Sequence, residues 1–171
     1  DPTEGILAFV MERLRGLLRD RAYSPAEIDA VLAQNPDRFD NLINRLEAVR
    51  AFAAMPESAS LAAANKRITN ILKKSDVNAG DVHADILAED SEKKLFSDMT
   101  AIRPETDRKF ASGDYTGTLK TLAQLHDDVD AFFTNVMVMA DDARLRNNRI
   151  ALLKQLHAMM NQVADISKLA S

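Results

Sequence analysis

The sequence predicts an all-α fold, a single-domain bundle of six or seven helices spanning residues 1–171. Three observations predict it. Apolar residues recur at spacings of three and four along most of the chain, and no stretch alternates apolar with polar as a half-buried strand does. Ala, Leu and the long charged residues dominate while β-branched runs are few, a composition that favours helix. Gly and Pro number only five each, and several of them punctuate the periodic segments. A chain of 171 residues is large enough for one hydrophobic core of ordinary size.

The elements follow in order. A first helix reads from about Glu4 to Arg21, with Ile6, Phe9, Val10, Leu14, Leu17 and Leu18 on one face expected to point inward. Ser24-Pro25-Ala26-Glu27 is a capping box with Pro at the first helical position. It opens a short helix carrying Ile28, Val31 and Leu32, which Asn35-Pro36 ends. A third helix, about Asp37 to Ala54, places Phe39, Leu42, Ile43, Leu46, Val49 and Phe52 inward, and Met55-Pro56 breaks the chain again. The fourth runs from Leu61 to Lys74, with Leu61, Ala64, Ile68, Ile71 and Leu72 as its core stripe. Residues Ser75 to Asp85 read as a loop that includes Asn78, Ala79 and Gly80. A fifth helix extends from about Glu89 to Ser112, kinked or split by Pro104. Gly113 then Asp114 is a stop followed by an N-cap. Leu119, Leu122, Val129, Phe133, Val136 and Met137 continue at helical spacing after Tyr115. The last helix starts near Asp141 or Asp142 and runs to about Ala164, with Leu145, Leu152, Leu156, Met159 and Val163 on its stripe.

Charge is segregated. The net charge is −4, yet between Glu57 and Asp76 there are four cations and no carboxylate, and the same holds between Asp142 and Asp165. Lys66, Arg67, Asn70, Lys73 and Lys74 fall opposite the stripe of the fourth helix, a face suited to gripping phosphates or equally to plain solvation. Arg144, Arg146, Asn147 and Asn148 cluster in the first turns of the last helix. Arg149 lies on the stripe itself; a buried cation needs a partner, and Asp130 or Asp141 is the expected one.

Other constellations point away from chemistry. His83, His126 and His157 are widely spaced, and none sits in a metal-ligand motif; His126 reads as a hydrogen-bonded histidine at the core edge. Asp127, Asp128 and Asp130 lack the glycine turn and bidentate Glu of a calcium loop and read as a solvated acidic face. Met137 and Met139 read as gap-filling core residues. No phosphate loop, dinucleotide fingerprint or nucleophile–base set is present, so no catalytic residue, metal ligand or cofactor site is expected in this chain. No run of about 18 apolar residues and no leader is visible, so no membrane association is expected. The absence of Cys fits a reducing, cytoplasmic setting.

The string FFTNVMVMADDARLRNNRIALL, from Phe132, resembles the signature near the C-terminus of the bacterial glycyl-tRNA synthetase β subunit family. LAAANKRITNIL, from Leu61, resembles a second motif of the same region, and ILAFVMERLRGLLRDRAYSPAEIDAVLA resembles its opening segment. The region resembled is the DALR-type anticodon-binding domain, a helical bundle shared in outline with arginyl-tRNA synthetases. Asp142-Ala143-Arg144-Leu145-Arg146 stands where that motif sits, its literal order interrupted by Arg144. The resemblance implies a C-terminal piece of a ligase subunit. It implies that glycine tRNA is bound at its anticodon stem-loop, and that the remainder of the β subunit and an α subunit are partners in an α₂β₂ tetramer. ATP would be used on the α subunit.

On that reading Asn65, Lys66, Arg67, Asn70, Lys73, Lys74, Arg144, Arg146, Asn147 and Asn148 are the candidate RNA-binding residues. Lysines are expected to hold phosphates, and Arg and Asn to read the splayed cytosines. The competing expectation is a non-enzymatic helical module that docks another protein.

Overall fold

The computed structural model describes residues 1–34, 39–75 and 80–170, with residues 39 and 40 described by backbone alone. Among the described residues there are eight α-helices and no strand. They are α1 (Pro2–Asp20), α2 (Pro25–Leu32), α3 (Phe39–Ala53), α4 (Ser58–Lys74), α5 (Asp90–Ala111), α6 (Tyr115–Ala123), α7 (His126–Asn135) and α8 (Ala143–Met160). Short 3₁₀ turns lie between α4 and α5, at Ala84–Ile86, and after α8, at Ile166–Leu169. The Asn35-Pro36 stop, the side chain of Phe39 and positions 76–79 of the expected loop lie outside the described residues.

Where helices begin on explicit capping chemistry, the structure follows it. Ser24 Oγ accepts from the Glu27 amide at 3.1 Å while Glu27 Oε1 accepts from the Ser24 amide at 3.0 Å. Gly113 takes φ +80°, the left-handed conformation that only glycine adopts without strain. Asp114 then caps α6 by accepting from the Gly117 amide at 2.9 Å. Pro104 stays inside one continuous helix, so it does not split α5.

Two boundaries differ from expectation. The periodic stretch after Tyr115 is two helices rather than one, which raises the count to eight. The amides of Gln124 and Leu125 bond back three residues, to the Thr121 and Leu122 carbonyls, making a tight turn without Gly or Pro. Leu125 stays buried through it, so the apolar spacing continues across the break and hides it. The last helix ends at Met160, short of Ala164. There Asn161 folds its side chain back onto the His157 carbonyl at 2.8 Å and accepts the Ile166 amide at 3.2 Å, which turns the chain.

A continuous apolar core runs from Leu18 to Ile166 and includes Phe52, Leu95, Phe132, Leu152 and Leu156. The exception is α1. Ile6, Phe9, Val10 and Leu17, expected to point inward, are exposed, Phe9 at 64%. The helix packs chiefly on α2, burying Leu18 and half-burying Met11 and Leu14. The rest of its apolar arc is exposed.

The C-terminal turn is fastened from several sides. Arg45 of α3 donates to the Gln162 and Val163 carbonyls at 2.8 and 2.7 Å, its guanidinium 4.8 Å from the Tyr115 ring centre. The Asp165 amide donates to the Ala30 carbonyl at 2.8 Å. A rigid ledge therefore stands alongside α4.

Candidate RNA-binding surface

The basic face of α4 is as the spacing predicts. Lys66, Arg67, Asn70, Lys73 and Lys74 are all exposed, and among the described residues no carboxylate pairs with any of these cations. Lys66, Thr69, Asn70 and Lys73 form one wall of an open cleft. The other wall is the C-terminal turn, with Asp165, Ser167, Lys168 and Ala170. Lys168 was not among the sequence candidates; only the folded ledge brings it opposite Lys66 and Lys73. Asp165, the acid of this cleft, caps its own turn, accepting from the Ser167 amide at 3.1 Å and hydroxyl at 2.5 Å.

Arg67 is exposed and ordered. Its guanidinium carbon lies 4.5 Å from the centre of the Phe133 ring on α7, a cation–π contact that orients it. An arginine braced on one side this way can offer its outer plane to an unstacked base.

Asn65 departs from its assigned role. It is 0% exposed and makes a reciprocal amide pair with Asn161, at 2.7 and 3.0 Å. It joins α4 to the end of α8 and cannot meet RNA. A signal for this existed: Asn65 falls four after Leu61 and three before Ile68, on the core stripe. One turn further, Thr69 Oγ1 lies 3.1 Å from His157 Nε2. The two helices are thus antiparallel, and α4 carries Lys73 and Lys74 toward the amino-terminal half of α8. The Thr69 proton goes to the Asn65 carbonyl at 3.0 Å, which leaves the hydroxyl oxygen to accept from His157 Nε2–H.

Burial pushes the His157 imidazole below its usual range, with Asp165 pulling weakly the other way. The fold favours neutral His157. Its contribution is complete above the unfolded value near 6.5 and is lost as pH falls through that value toward the folded one. We expect the urea midpoint to drop between pH 7 and pH 5, and His157→Gln to flatten that drop. An unchanged pH profile in the variant would remove His157 from the account.

At the start of α8 the four candidates separate. Asp142 accepts from the Arg144 amide at 2.8 Å and caps the helix. Arg144 and Asn147 are exposed. Arg146 and Asn148 instead serve the fold. Arg146 Nη1 donates to the Ala140 and Asp141 carbonyls, at 2.9 and 3.3 Å. Asn148 is buried and exchanges two hydrogen bonds with the His83 backbone, at 2.8 and 3.0 Å. Like Asn65, it sits on an apolar stripe, three after Leu145 and four before Leu152.

Arg149 is buried and paired, but with Glu92 of α5 at 2.8 Å, not with Asp130 or Asp141. Asp130 accepts from the Ser60 hydroxyl and faces His126 instead, and Asp141 is exposed. The other terminal nitrogen of Arg149, Nη1, donates to the Met137 carbonyl at 2.7 Å. The expected acidic face is also divided. Asp127 and Asp130 are exposed, whereas Asp128 is buried beside Lys94 at 3.3 Å. Burial, then the hydrogen bond with Asp98, raises the Asp128 carboxyl above its usual range. Met137 and Met139, expected in the core, are 72% and 57% exposed.

A sequence model described as "DALR anticodon binding domain" matches residues 61–169. The chain is similar to the glycine–tRNA ligase beta subunit of Ralstonia nicotianae, 55% identical over 97% of this chain and 24% of that protein. It is similarly related to the proteins of the same description from Methylobacillus flagellatus, 53% identical over 98% and 24%, and Delftia acidovorans, 49% identical over 100% and 24%. The chain thus spans about a quarter of the length of these curated relatives.

Proposed function

We propose that this chain, which belongs to the DALR anticodon-binding domain family, binds the anticodon stem-loop of a glycine tRNA on behalf of a glycine–tRNA ligase. The observation that carries the reading is the cleft between α4 and the C-terminal turn. Lys66, Lys73 and Lys168 line it, with Asn70 between the α4 lysines and Arg67 braced on Phe133 beside it. Lysines there hold phosphates without regard to sequence, while Arg67, Asn70, Arg144 and Asn147 are placed to meet base edges.

The chain would act as the tail of a longer β subunit in the cytoplasm, in an α₂β₂ assembly whose α subunit uses ATP. The exposed apolar arc of α1 supports the partnership with the remainder of the subunit, since Ile6, Phe9, Val10 and Leu17 on one side of a helix are suited to a packed neighbour. Docking and RNA binding are thus assigned to different surfaces.

The test is titration with a glycine-tRNA anticodon stem-loop, beside one whose last two anticodon bases are changed, at low and moderate salt. Tighter binding of the unchanged loop, falling steeply between about 50 and 200 mM salt, is the expected result. Equal affinity for both loops would reduce the surface to a phosphate grip. Binding to neither would leave docking as the function.

A further inference from the structure

The segment between α7 and α8 is built with more care than a connection needs. Val136 and Val138 point into the core, and Met137 and Met139 point out at 72% and 57% exposure. Val136 has extended backbone, φ −112° and ψ 126°, and the chain then turns at Val138 and Met139. Two arginines of α8 hold its carbonyls. Arg149, buried and paired with Glu92, takes Met137, and Arg146 takes Ala140 and Asp141. A buried ion pair is an expensive way to fix a surface turn, and what the turn displays is two thioethers.

The exposed residues that follow them in sequence are polar. Asp141 offers an exposed carboxylate, and Arg144 and Asn147 offer exposed donors from the first turns of α8. Phe133, under the Arg67 guanidinium, comes four residues before Met137. An exposed apolar area of two side chains, followed in sequence by one acceptor and two donors, is too small for a stable protein interface. It fits a flat apolar object with polar edges. An unstacked nucleobase is such an object, and polarizable sulfur makes favourable contact with aromatic rings.

We infer that Met137 and Met139 form a platform on which one splayed base of the RNA loop lies, with Asp141, Arg144 and Asn147 facing its edge. This rests on the anticodon-binding reading and adds to it the surface that receives the base. It also gives Arg146 and Arg149 a function: they are positioning residues that hold the platform flat.

The methionines themselves supply the measurement. Five others are available as internal controls; Met99, Met159 and Met160 are buried and Met11 and Met55 partly so. The full-length protein is treated with dilute hydrogen peroxide, with and without the glycine-tRNA stem-loop, and sulfoxide is read on each peptide by mass spectrometry. Bound RNA is expected to slow oxidation at Met137 and Met139 several-fold and leave the controls unchanged. M137A/M139A, which alters only exposed side chains, is expected to weaken stem-loop binding about fivefold to tenfold, the scale of losing one stacked base. The same variant should retain the salt dependence and the affinity for a fully paired duplex.

If the stem-loop binds with salt-sensitive affinity but both methionines oxidise at the free rate, the platform is wrong and the anticodon-binding reading stands. If the wild-type protein binds no RNA, both fall. Protection by added protein partner and not by RNA would overturn the platform in favour of a docking contact.

Discussion

Arg149→Met is expected to be the most destabilising single substitution at this surface, by about 3–5 kcal/mol, because it leaves Glu92 buried as an unpaired charge. Glu92 is fully buried, with one oxygen on Arg149 and on the Glu89 amide that it caps at 3.1 Å. Its Oε2 and the Arg149 Nε are buried without a hydrogen-bond partner among the described residues. The pair is therefore incompletely satisfied. Replacing both members by apolar groups of similar volume is then expected to recover most of the loss. Glu92→Leu with Arg149→Met should still be weaker than wild type by about 1–3 kcal/mol, since the Met137 carbonyl loses its donor. Urea unfolding of the two single variants and the double variant separates these effects as a double-mutant cycle. If the double variant is as unstable as Arg149→Met, the cost lies in packing around the guanidinium and not in the orphaned carboxylate. If the platform inference holds, the double variant also folds but binds the stem-loop more weakly, as its outward methionines are no longer held.

What the sequence made legible divides by physical cause. Elements that start or stop on local chemistry were readable, because the cap and the capped amide lie within three residues: Ser24 with Glu27, and Asp114 after Gly113. The basic face of α4 was readable for the same reason, since a period of 3.6 puts Lys66, Arg67, Asn70 and Lys73 on one side whatever the helix meets. What a helix meets is not local. Periodicity gave α1 an apolar arc but could not say that its neighbour ends at α2. It gave Arg149 a buried position but not Glu92, which lies 57 residues away.

Residue type misled where it was set against position. Asn65, Asn148 and Arg146 were grouped with the exposed donors because amides and guanidiniums bind RNA, although spacing put both asparagines on core stripes. The two asparagines are engaged by distant partners, Asn161 and the His83 backbone, and Arg146 by the Ala140 and Asp141 carbonyls just before its helix. The methionines failed in the opposite sense. Val136-Met137-Val138-Met139 is apolar at every position, so an alternation of two cannot be told from a helical run, and only the structure shows which pair faces out.

Removing the three cleft lysines together is expected to have the largest effect on RNA binding. Lys66, Lys73 and Lys168 are exposed on two separate elements, so Lys66→Ala, Lys73→Ala and Lys168→Ala should change stability by no more than about 0.5 kcal/mol each. Each phosphate that a lysine neutralises in a single-stranded loop adds roughly 0.7 to the slope of log affinity against log salt. The triple variant should therefore lose about 2 from that slope, and about a hundredfold in affinity at 0.1 M salt. It should lose equally for the unchanged and the altered anticodon, because phosphates carry no sequence. Arg67→Ala should behave differently, with a smaller change of slope and a loss concentrated on the unchanged loop, since its plane is braced by Phe133 to meet a base. The control, compared per lysine, is Lys93→Ala with Lys120→Ala, exposed lysines on α5 and α6. If that control flattens the salt dependence as much per lysine, RNA is responding to net charge alone and the cleft is not its seat. If only the cleft lysines do so, the long-range field is excluded and the ledge fixed by Arg45 becomes part of the RNA site. Its integrity would then depend on Arg45 holding the Gln162 and Val163 carbonyls.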